Sequence, residues 1–125
     1  MDESILIDVK KLAGLAPEDD SFDKDLIIYI NTVIAVLTQL GVTPSQSFIL
    51  EDQDTQWSDY LPSDTSLETF QFVRSYISMK VRLIFDPPQN TTVMDALKGA
   101  IAECEWRINV EADVYPEDTS INDED

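Results

Sequence analysis

Glu51, Asp52, Asp54 and Asp59 crowd into "EDQDTQWSD", the density of carboxylates that a cation-binding loop uses. The run lacks the turn glycine and the terminal glutamate spacing of an EF-hand, so specific calcium binding is not expected. Paired carboxylates can also cleave glycosides when held roughly 5 to 9 Å apart. That separation is a tertiary property, and no aromatic-lined sugar cleft is evident beside these acids. Nucleophilic chemistry has less to work with. Cys104 is the only cysteine and histidine is absent, which removes the usual triads, any intrachain disulfide and any multi-thiolate metal site. Cys104 stands at helical spacing from Leu97 and Ile101 and reads as a buried structural thiol. With no phosphate-cradling glycine loop and no nucleophile elbow, we expect neither catalysis nor a metal or cofactor.

The charge balance narrows the classes of partner. Twenty-five acidic residues against 8 basic ones give a formal charge of −17. Lys and Arg supply most nucleic-acid affinity, so ordinary DNA or RNA binding is not expected, nor is docking to anionic lipid. The excess either keeps the chain soluble or lets its surface repel, or imitate, a polyanion. The start, "MDESILIDVKK", carries acid where a signal peptide needs base, and no apolar run approaches the ~18 residues of a membrane span. A cytosolic place of assembly is expected.

The elements that must position these groups are helical. With 125 residues, 43% hydrophobic content and only three glycines, the chain reads as one all-α domain with a single core. Ile5, Val9, Leu12 and Ala13 share one face of a first helix over about Glu3 to Ala13, with Gly14 as its left-handed terminator. Asp23 is placed to cap a helix over about Lys24 to Leu40, with Phe22 stapling onto Ile27 and Gly41 ending the run. Leu26, Ile30, Val33, Leu37 and Leu40 form its stripe, which suits a central helix. From Val42 to Asp64 the pattern dissolves into a long loop with room for one helical turn, pinned by Trp57 and Tyr60 or using them to stack a ligand.

Thr65 and Glu68 fit a capping box for a helix to Phe85, with Leu67, Phe70, Val73, Ile77, Val81 and Ile84 as its main stripe. Arg74, Lys80 and Arg82 make it a basic island, paired within the chain or facing an acidic partner. Asp86, Pro87 and Pro88 then halt the helix, because a proline ring pushes the residue before it out of helical geometry. Asn90, Thr91 and Thr92 are the candidate caps of a last helix over about Thr91 to Asn109. Val93, Leu97, Ile101, Cys104 and Ile108 form its stripe, Glu103 can pair with Arg107, and Trp106 lies on another face beyond Gly99 and Ala102. Gly99 either admits another chain closely or is simply tolerated. The organisation expected is a helical domain over 1–110 and an acidic, disordered tail over 111–125.

"YISMKVRLIFDPP", Tyr76 to Pro88, with "AIAECEWRINVEAD", "SFDKDLIIYINTVIAVLTQLGV" and Trp57, resembles the head-tail connector (adaptor) proteins of tailed bacteriophages. The resemblance implies a helical, non-catalytic virion protein, assembled in the host cytoplasm, that forms a ring, commonly dodecameric, beneath the portal. DNA would pass through the ring without specific binding, and a head-completion or tail protein would dock on it. In that setting Phe85, Asp86, Pro87 and Pro88 are expected to form a structural corner. Arg74, Lys80, Arg82, Trp106 and Arg107 are candidate subunit or portal contacts, and Val114, Tyr115 and Pro116 a candidate docking segment in the tail. Two other classes stay open at this point: an acidic DNA mimic that occupies a nucleic-acid-binding protein, and a small carboxylate hydrolase.

Overall fold

Ser4 starts the first helix by accepting the Ile7 N–H on its Oγ at 3.2 Å, and α1 then runs Ile5–Leu12. Gly14 closes it at φ +84°, a conformation that costs glycine nothing and other residues a clash. In this computed structural model, residues 1–41 and 48–114 are described, with side chains through Arg107. The remaining helices are α2 (Asp23–Gln39), α3 (Trp57–Tyr60), α4 (Leu67–Phe85) and α5 (Thr91–Val114). Among the described residues there is no strand, only an isolated antiparallel bridge between Ser4 and Gln56.

The all-α expectation holds, with differences at the helix ends. Asp23 does not cap α2 but is its first residue, following Phe22, because its carboxylate is drawn to Lys10 Nζ at 2.8 Å. The Phe22 ring meets Phe85 edge to face at 5.2 Å. The cap of α4 is Ser66 rather than Thr65, its Oγ accepting the Thr69 N–H at 3.0 Å. The middle loop does contain one helical turn, α3, where Asp59 accepts the Gln56 N–H at 2.8 Å. Helix α5 continues through Val114, past the expected end at Asn109, since no proline or glycine intervenes before Pro116. Residues 111–114 are therefore helical, while Tyr115, Pro116 and the rest of the tail lie outside the described residues.

Helix α4 is the hub: it packs against α1, α2 and α5, whereas the expected central helix, α2, touches α1 and α4. The width of the apolar surface around α4 is the reason. Phe70, Val73, Tyr76, Ile77 and Val81 are buried there, facing Leu26, Ile30, Val33, Ile34 and Leu37 of α2 and Ile5, Leu6 and Val9 of α1 in one core. Each such side chain contributes about 1.5–3 kcal/mol of transfer free energy. Leu67, placed on the stripe by its spacing, is 72% exposed because it begins α4, beyond the reach of the packed layer.

The loop is fastened to this core at both edges. Asn31 on α2 accepts the Leu50 N–H at 2.8 Å and donates to the Leu50 carbonyl at 3.1 Å. On the other side the Ile5 N–H donates to Thr55, and the Trp57 and Ser58 N–H groups donate to Glu3 and Met1. Trp57 is wholly buried, edge-on to Phe70 at 5.7 Å, which makes it a packing anchor.

Candidate functional site

Helix α4 ends at Phe85, and Asp86 leaves helical geometry at φ −145°, ψ 69°, while its N–H still reaches the Arg82 carbonyl at 2.9 Å. Phe85 turns inward onto Phe22 and Tyr29, the latter 6.4 Å away, so the corner is held against the start and middle of α2. Asn90 caps α5, its side-chain oxygen accepting the Val93 N–H at 3.1 Å.

The five cationic and aromatic candidates separate into three kinds. Arg74 is committed inside the chain: its guanidinium grips Asp8 of α1 with two hydrogen bonds, Nη2 to Oδ1 at 2.8 Å, and lies over the Phe70 ring. This engagement uses the fork that an outside contact would need. Lys80 and Arg107 are paired more loosely, Lys80 with Glu105 at 3.9 Å and Arg107 with Glu103 at 2.9 Å one helical turn away. Both remain in reach of solvent. Arg82 has no acidic partner among the described residues, and Trp106 stands 65% exposed on α5. The structure brings Lys80 and Tyr76 of α4 to Glu105 of α5, where the Tyr76 hydroxyl donates at 2.8 Å.

Two buried charges had not been anticipated: Asp8 and Lys10 of α1. Burial pushes the Asp8 carboxyl up, but hydrogen bonds from Arg74 and from Trp57 Nε1 at 3.0 Å, together with the guanidinium charge, bring it below the usual carboxylate range. Lys10 Nζ is satisfied by Asp23 and by the Pro17 carbonyl at 3.0 Å. The available signal was their position: Asp8 and Lys10 flank Val9 in a helix too short to have a generous polar face.

Cys104 is not activated as a nucleophile. Burial raises the Cys104 thiol, and Glu103 adds to the shift, the opposite of what a nucleophile needs. Among the described residues no group of three or more His, Cys, Asp or Glu side chains could hold a metal ion, and no helix is long and apolar enough to cross a membrane. What α5 does present is a broad outward face. Only Ile101 and Cys104 of its described side chains are buried, whereas Ala96, Gly99, Ala100, Ala102 and Trp106 are exposed.

A family model described as Phage connector protein matches residues 5–115, nearly the whole helical chain. The chain belongs to this phage connector family. The match runs from the first residue of α1 to just beyond α5, so it takes in the hub helix, the Pro-Pro corner and the fastened loop together. The connector is thus a structural component of a phage and an all-α bundle. No curated protein and no solved structure matches the chain.

Proposed function

We propose that this connector forms a ring beneath the portal vertex, dodecameric in the virion, that extends the DNA channel and offers a docking surface to the next head-completion or tail protein. The observation that carries the reading is the exposed α5 face, with Trp106 standing in solvent on a helix that the family match includes. A large exposed aromatic beside small residues suits a second protein surface, because aromatic side chains bury much area at little conformational cost. Arg82, in no salt bridge among the described residues, and the loosely paired Lys80 and Arg107 are the groups able to receive acidic neighbours in a chain of charge −17. The acidic surface suits a conduit, since walls that held phosphates would retard DNA. The Pro-Pro corner fixes how α5 is presented.

The test is light scattering and negative-stain microscopy over a salt series, with and without portal protein. A dozen copies carry roughly −200 charges, and repulsion acts over about 30 Å at 0.01 M salt but about 8 Å at physiological strength. Monomer at low salt, with rings promoted by salt or by portal, is the expected result. Trp106→Ala should shift assembly without changing the thermal midpoint. A strict monomer in every condition that also fails to bind portal would overturn the reading.

A further inference from the structure

A cleft of about 180 Å³ opens between the end of α1, the middle of α4 and the first half of α5, lined by Leu12, Ser75, Ser78, Met79, Arg82 and Leu97. Three features set it apart from an accidental groove. Its apolar walls are unfilled, with Leu12 47% exposed although Ile5, Leu6 and Val9 of the same helix are buried. Ser78, only 4% exposed, stands in its wall with an Oγ that has no hydrogen-bond partner, and a buried hydroxyl left unpaired costs about 1–3 kcal/mol. A cation without a salt bridge also lines it. Arg82 is in no salt bridge among the described residues, and Lys98, also in none, follows the lining residue Leu97 in sequence.

We propose that this cleft receives the segment that follows α5 in a second copy of the connector, with Tyr115 or Pro116 filling the apolar space and Glu117 and Asp118 meeting Arg82 and Lys98. In a chain this acidic, a carboxylate-bearing segment is repelled from most of the surface. The cleft is where cations are left over, so charge complementarity selects both site and occupant.

Chain geometry selects docking between copies. Leu97 and Val114 are 17 residues apart on α5, about 25 Å at 1.5 Å per residue, whereas Tyr115 is one residue past the helix end and can move only about 4 Å from it. Tyr115 to Asp118, at most four residues or about 14 Å beyond the helix end, cannot return to their own cleft, but that of a neighbouring copy is open to them. Each subunit would then hold the next in a head-to-tail manner, the geometry that closes a ring. This deepens the assembly reading and rests on it, since it names the contact through which copies meet.

The test uses the full-length protein and a fluorescein-labelled synthetic peptide of residues 113–125, followed by anisotropy at physiological salt. Saturable binding is expected, weakened at least about tenfold by Arg82→Glu and comparably by Leu12→Asp, two substitutions at partly exposed positions whose folding circular dichroism would verify. No binding, or binding indifferent to both substitutions, would overturn the proposal. If rings still form by light scattering in that case, the assembly reading stands and only this contact fails; peptide binding to portal protein alone would likewise assign the segment elsewhere.

Discussion

Arg74 of α4 and Asp8 of α1 are 66 positions apart, yet they meet through two hydrogen bonds in a site where Asp8 is almost wholly buried. Trp57 from the middle loop donates to the same carboxylate, so one acid joins three separate segments. Removing one partner leaves the other buried and unmatched. Arg74→Ala should therefore lower unfolding free energy by about 3 kcal/mol, whereas Asp8→Leu combined with Arg74→Met should lose much less, as measured by urea denaturation. Equal losses in the single and double variants would show that packing, not charge, dominates here.

The same carboxylate makes stability depend on acid. Its folded pKa lies below the unfolded value of about 3.9, so its contribution is complete above that pH and is lost as pH falls through the folded value. Asp8→Asn has no such proton to gain. Its unfolding free energy should be lower than that of the parent at pH 7, with the two curves converging as pH drops below about 4. A gap constant with pH would mean that Asp8 does not titrate abnormally.

Gly99 separates monomer stability from assembly. A Cβ built there meets nothing within 4 Å, and its backbone is helical, so Gly99→Ala should stabilise the isolated chain by up to about 1 kcal/mol. If another subunit approaches α5 at this point, the same change should reduce ring formation in light scattering. Gain of stability with full assembly would make Gly99 merely tolerated.

Replacing Pro87 and Pro88 by alanine frees the unfolded chain and removes the block on extending α4 past Phe85. A loss of about 1 kcal/mol is expected, read from the thermal midpoint, with a larger effect on ring formation than on folding. Unchanged stability together with complete assembly on portal would remove the corner's assigned role.

The local elements were legible in the residues themselves. The stripe of α2, Gly14 and Gly41 at positive φ and the halt at Phe85 all follow from side-chain and backbone sterics within a few positions, and the cap of α5 was narrowed to three residues of which the structure uses Asn90. For the same reason the family resemblance, carried by short contiguous motifs, agreed with the match over residues 5–115. Partner choice was different. Whether Arg74 faced outward or gripped an acid depended on α1 folding back 66 positions away, and periodicity gives no distance between helices. Leu12 fell on the apolar stripe of α1 yet lies at an open cleft, because only the placement of α4 and α5 decides which part of a stripe is covered. Helical pattern thus determined the pieces, while tertiary packing decided which charges were already satisfied and which, with Trp106, were left facing out.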